Sequence, residues 1–326
     1  MATATWDRGR NAKKPSEIPK TGWKDTLYRV KNEIKEDRLS MVAAAMAYYA
    51  LFSIVPAISS VVLIYAWFSD PNEISQHLQS VSKFLPQDMM TFMNTTLKSL
   101  ASKASSSLGV GALATLALSL WSASKASKSL IDAMNIIYDE KEDRGFFKYT
   151  GLALGLTLLA VVLCILALAV VVGLPAMTEF FNFGTAFEAG VGVLSWVILL
   201  GLFSLFLAAA YRYSPNRRNA QWKWVSWGAV IASVLWAVTS GLFSWYAKEF
   251  ADFNKTYGTM GAAIALMTWF YLSSYVILLG AEINAEMEHQ TSKDTTVGGK
   301  RPIGTRKATM ADTVGADFNQ TKKAPQ

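Results

Sequence analysis

Few residues in this 326-residue chain can do covalent or metal chemistry, and their spacing narrows what that chemistry is. There are two histidines, His77 and His289, and one cysteine, Cys164. A single cysteine allows no intrachain disulfide. Cys164 lies in the middle of an apolar run and reads as a small packing residue. The histidines fall in segments that the hydropathy pattern puts on opposite sides of a membrane. They therefore build neither a His-rich metal centre nor a Ser-His-Asp triad within it. HExxH, Walker A and GxSxG motifs are absent, and no cofactor is expected. One nucleophile–base spacing remains. In "WSASKASK" Ser122 precedes Lys125 by three residues, which puts both on one helical face in the manner of a serine–lysine dyad. A basic residue at a span end beside small packing serines explains the same four letters, and the chain is expected not to be an enzyme.

The elements that hold these residues are long and apolar. Of all residues 52% are hydrophobic and 17% charged, below the roughly 25% charged of ordinary soluble domains. The apolar residues gather in blocks at about 39–68, 149–173, 191–211, 224–247 and 258–281, each long enough to cross a bilayer. A sixth block, 104–124, is shorter and rich in serine. Charge supports counting it. With six spans, 26 of the 31 Lys and Arg residues fall on the side of the N-terminal arm, which places both termini in the cytoplasm. Without that span the seven cations after residue 282 would lie outside.

The expected fold is thus all-α, a polytopic membrane protein of six transmembrane helices. A basic cytoplasmic arm (1–38) precedes the membrane domain (39–288). The Thr-, Lys- and Gly-rich tail (289–326) reads as disordered, because it has little to bury. The first outer loop, 69–103, repeats apolar residues at helical spacing around Pro86 and predicts two short amphipathic helices. Gly151 and Gly155 in span three, and Gly228 and Ala232 in span five, provide small faces for close helix approach. Span three is almost wholly apolar and is the expected lipid-facing helix.

Polar residues inside the spans are the remaining clue. Counted from the cytoplasmic start of span one, Tyr49 lies about 15 Å deep and Ser53 about 21 Å. Pro56 completes the i, i+4, i+7 face and predicts a bend, because it cannot donate to the carbonyl of Phe52. Trp121, Ser122 and Ser124 of span two and Ser274 of span six fall at a similar depth, and Glu282 follows at the inner interface. We take Tyr49, Ser53, Pro56, Trp121, Ser122, Ser124, Asn135, Ser274 and Glu282 as candidate substrate-cavity residues. Lys125 and Lys128 are candidate ligands for an anionic group. The competing reading is that the hydroxyls only join helices. Glu282 is the costliest of these to bury, and Arg212 or a lysine of span two is its expected partner. Membrane lipids and an amphiphilic or anionic substrate are the expected partners, with self-association into a homo-oligomer left open. Nucleic acid is not expected, since the basic residues lie where topology requires them and carry no aromatic stacking platform.

Four stretches, "AAAMAYYALFSIVP" (43–56), "LWSASKASKSLIDAMNIIYDEKEDRGF" (120–146), "YRYSPNRRNAQWKWVSWGAVIASVLW" (211–236) and "FNKTYGTMGAAIALMTWFYLSSYVILLGAEINAE" (253–286), resemble the YihY/BrkB family of bacterial inner-membrane proteins. They cover nearly the whole membrane domain in the family's order. The resemblance implies six spans with both termini cytoplasmic. It also brings the label ribonuclease BN, regarded as a misassignment, and labels concerning serum resistance and envelope lipid export.

Overall fold

The computed structural model describes residues 8–66, 110–181, 185–249 and 261–318. The two short helices expected in 69–103 lie outside the described residues. Among those described, every regular element is helical: α1 (Lys20–Glu36), α2 (Leu39–Ala66), α3 (Val110–Ile137), α4 (Phe146–Phe181), α5 (Thr185–Tyr213), α6 (Trp222–Glu249), α7 (Gly261–His289) and the single turn α8 (Thr309–Asp312). Apolar runs take this form in a membrane because a helix satisfies its own backbone hydrogen bonds.

Four helices are long and apolar enough to cross a bilayer: Phe146–Leu174, Gly190–Tyr213, Trp222–Lys248 and Ala263–His289. They match four of the six expected spans. In α2 the apolar stretch Leu39–Ile54 is shorter. The expected span 104–124 is described only from Val110. Pro56 lies inside α2, which continues through it to Ala66, and the Ser60 hydroxyl donates to the Pro56 carbonyl at 2.9 Å.

The chain divides into two compact units. The first comprises Met1–Leu51, Lys128–Tyr149 and Leu207–Gln326. Its centre is the packing of α6 on α7, where Gly228 and Gly280 bring two backbones together. A Cβ on Gly228 would lie 2.2 Å from the Gly280 carbonyl oxygen. Asn284 bridges the same crossing, accepting from the Gly228 N–H (2.8 Å) and donating to the Val225 carbonyl (2.9 Å). The Tyr211 hydroxyl donates to the Ile277 carbonyl at 2.7 Å. Val30 of α1 joins Trp224 of α6 and Ile283 and Met287 of α7 in an apolar core that Ala12 and Ile18 complete.

The tail corrects the expectation of disorder through residue 318. Thr291, Thr295 and Arg306 are buried. The Gln221 N–H donates to the Thr295 carbonyl (2.8 Å) and the Val297 N–H to the Asn219 carbonyl (2.9 Å), around an isolated bridge between Ala220 and Thr296. The Arg306 guanidinium donates to the carbonyls of Ser292, Lys293, Arg301 and Ala311. One arginine thereby substitutes for the hydrophobic core that the composition lacks.

The second unit comprises Phe52–Ser127 and Thr150–Phe206. Within it Ser127 and Thr157 share a hydrogen bond at 2.8 Å. The outer faces of its long helices are apolar and exposed, with Leu158, Val162 and Leu166 on α4 and Val193, Trp196 and Val197 on α5. Such surfaces suit lipid as solvent. A Cβ on Gly151 or Gly155 would have no neighbour within 4 Å, so among the described residues no helix uses their small face.

Candidate functional site

The last two turns of α7 carry three carboxylates, Glu282, Glu286 and Glu288, each no more than 1% exposed. Burial at this level requires compensation. Two of the three receive it from arginine. Glu286 accepts a short hydrogen bond from Arg29 Nε of α1. The rest of that guanidinium donates to the carbonyls of Glu286 (3.0 Å) and Ala316 (2.9 Å) and to Gln290 Oε1 (2.8 Å). Glu288 receives both terminal nitrogens of Arg217, at 2.7 and 3.0 Å, and the Thr295 hydroxyl at 2.9 Å. Arg217 also lies over the Tyr138 ring, 4.1 Å from its centroid. Burial alone would pull the Arg217 guanidinium down, but Glu288 more than offsets it and the net shift is upward.

Glu282 is different. Its Oε1 has no hydrogen-bond partner, and among the described residues no Lys, Arg or His pairs with it. The side chain that it meets is another acid, Asp37, in the turn between α1 and α2. Two carboxylates set against each other repel, and burial adds to the cost of charging them. Burial pushes the Asp37 carboxyl up to about 6, against the lowering effect of the hydrogen bond with Glu282. Glu33, one helical turn before it, rises to about 7 through burial first and then the charges of Glu286, Glu36 and Asp37. The Glu282 pairing expected from the sequence is therefore overturned. Arg212 instead stacks over Trp222 and Tyr213, 4.5 and 5.3 Å from the ring centroids.

The other expected site residues fall into two groups. In the first unit Ser274 is buried, and Tyr49 is 41% exposed beside the ring of Tyr48. Lys128 lies 5.8 Å from the ring centroids of both Phe146 and Tyr149. Asn135 is buried, but its amide is committed to structure: it donates to Glu142 (2.8 Å) and accepts from the Asn216 N–H (2.7 Å). In the second unit Ser53 is buried with an unpartnered hydroxyl, while Ser124 bonds back to the Trp121 carbonyl at 2.6 Å. Trp121 and Lys125 are exposed, and Pro56 and Ser122 half-buried. Among the described residues no group of three His, Cys, Asp or Glu is placed to hold a metal ion.

Sequence reading found Glu282 but missed Asp37, Glu33 and the two arginine–glutamate pairs. The signal was present in "AEINAEMEH", where three acids follow an apolar span without a break.

Comparison with known proteins gives the family. The profile described as virulence factor BrkB matches residues 30–302. The chain is 30% identical over 249 residues to YfkH of Bacillus subtilis, named a ribonuclease-like protein, covering 74% of this chain and 88% of YfkH. It is 28% identical over 278 residues to a UPF0761 membrane protein of Tolumonas auensis, covering 82% and 86% of the two chains. A UPF0761 membrane protein of Aggregatibacter aphrophilus is 25% identical over 280 residues, covering 83% and 95%. No solved structure matches. With a profile that spans most of the chain and helices apolar enough for a bilayer, this protein belongs to the BrkB family of membrane proteins.

Proposed function

We propose that the protein is a six-span transporter of the bacterial inner membrane, flippase-like in action, for an amphiphilic or anionic envelope substrate. Both termini lie in the cytoplasm, and the protein is not an enzyme. The observation that supports this best is Glu282, a buried carboxyl at the end of the last span that meets Asp37 and no cation. A carboxyl kept in that condition is suited to take up and release a proton, and the chain has no nucleotide motif to energise movement otherwise. In this reading Tyr49 and Ser274 of the first unit serve the substrate, and Lys128 of the same unit attracts its negative group. On the same reading, charging both carboxyls sets Asp37 and Glu282 against each other and loosens the Asp37 turn from α7.

The test is movement of a fluorescent phosphatidylglycerol analogue between leaflets of proteoliposomes, with and without an imposed pH gradient. Saturable, gradient-accelerated movement is expected, with the gradient response lost in Glu282→Gln. Movement no faster than in protein-free vesicles across a panel of anionic lipids defeats the reading. The committed hydroxyl and amide bonds of Ser124, Ser127 and Asn135 favour a second reading, a structural or assembly factor of the envelope. A Ser122–Lys125 enzyme predicts an acyl adduct that Ser122→Ala abolishes.

A further inference from the structure

The outward face of α1 gathers cations and apolar side chains on one stripe. At 100° per residue, Lys20, Lys24, Lys31 and Lys35 fall within about 60° of one another. Trp23, Leu27 and Tyr28 interleave with them. All four lysines are exposed, and Leu27 is 55% exposed. The carboxylates of this helix, Asp25, Glu33 and Glu36, lie on the other side of the wheel. Among the described residues none pairs with Lys20, Lys31 or Lys35. Phe318 enlarges the same face, with its ring 4.8 Å from Tyr28 and 4.2 Å from Lys24 Nζ. A shallow groove runs between these side chains.

The opposite face of α1 is fixed. Asp25 is bound by Arg8 at 2.7 Å, Arg29 by Glu286 and the tail, and Val30 is in the core. The helix therefore cannot roll to hide its lysines. It also cannot stray from the bilayer. Arg38, at φ 50, closes a two-residue turn, and α2 starts at Leu39. A 17-residue helix reaches about 25 Å from that point.

We infer that α1 is an interfacial anchor that lays Trp23, Leu27 and Tyr28 into the headgroup region of an anionic lipid leaflet, with Lys20, Lys24, Lys31 and Lys35 on its phosphates. Lysines interleaved with Trp, Leu and Tyr are the composition of a helix lying on a membrane surface. Aromatic rings among cations also suit a stacked nucleic-acid strand, but the exposed aliphatic Leu27 in their midst and the start of α2 two residues after α1 favour a lipid surface. This inference rests on the membrane location of α2 and not on transport.

The experiment places a nitroxide on Leu27→Cys in the full-length chain carrying Cys164→Ser. The protein is reconstituted into nanodiscs of phosphatidylcholine, alone or mixed with phosphatidylglycerol. In the anionic discs the label should gain accessibility to oxygen and lose accessibility to an aqueous nickel reagent. Added salt should reverse the change. Each Lys→Gln substitution among the four should weaken the partition about fivefold. If the quadruple variant does not insert, the salt titration of the labelled chain gives the same answer. A label equally open to nickel in both lipids overturns the inference. So does protection that persists at high salt, or that appears only with added protein or RNA.

Discussion

Gly228 of α6 faces Gly280 of α7 at backbone contact: a Cβ on Gly228 would lie 2.2 Å from the Gly280 carbonyl and 2.5 Å from the Asn284 side chain. Neither obstacle is a flexible chain end. Gly228→Ala must therefore part the helices and stretch the Gly228 N–H bond to Asn284. A loss of about 1–3 kcal/mol or more is expected for overpacking of this kind. Gly151→Ala, with nothing within 4 Å, should be near neutral. Thermal denaturation of the two variants in one detergent measures the difference.

The pair shows what the sequence could and could not say. Gly228 and Ala232 marked a small face on span five, and the structure brings α7 onto it. Gly151 and Gly155 carry a small-residue spacing of the same kind without a helix against it. Spacing tells that an approach is permitted; the partner is chosen by the rest of the packing. The same holds for charge. The apolar runs of α4 to α7 were legible because hydropathy acts locally. The partner of Glu282 was not, because Arg212 is drawn to the Trp222 ring beside it and Asp37 arrives from a distant turn. The tail was misjudged because composition reports apolar burial. It does not report backbone pairing with residues 219–221, or one arginine that collects four carbonyls.

Arg217 and Glu288 form the most enclosed ion pair described, with both side chains at 0% exposure. Removing one partner strands the other charge. Glu288→Leu or Arg217→Met alone should each cost about 3–5 kcal/mol, whereas the two combined should recover much of it. A double-mutant cycle on denaturation midpoints checks this. Equal losses in the single and double variants would show that the pair acts only through its shape.

The acidic turn predicts a pH dependence. The folded chain raises Asp37 from 3.8 to about 6 and Glu33 from 4.5 to about 7. A carboxyl raised on folding binds its proton more tightly in the folded state, so its stabilising contribution is complete below the unfolded value. It is lost as pH climbs through the folded one. Between about pH 4 and pH 7 the wild type should lose stability relative to Asp37→Asn and Glu33→Gln. Melting temperatures of the three proteins across that range should converge at the acidic end. Parallel curves would mean that neither group titrates there.

Arg306 offers the sharpest test of the folded tail. It is 4% exposed, and its guanidinium donates to four carbonyls between Ser292 and Ala311. Buried acceptors left unpaired cost about 1–3 kcal/mol each. That exceeds what so small a segment can recover from apolar contact, so Arg306→Ala should release it. Lysine would restore the charge but not the planar fork that reaches several oxygens together. Limited trypsin digestion, followed by mass spectrometry, should then show rapid cleavage after Lys293 and Lys300 in both variants and slow cleavage in the wild type. The helices upstream should remain intact, because the α6–α7 crossing and the Arg29–Glu286 pair do not depend on Arg306.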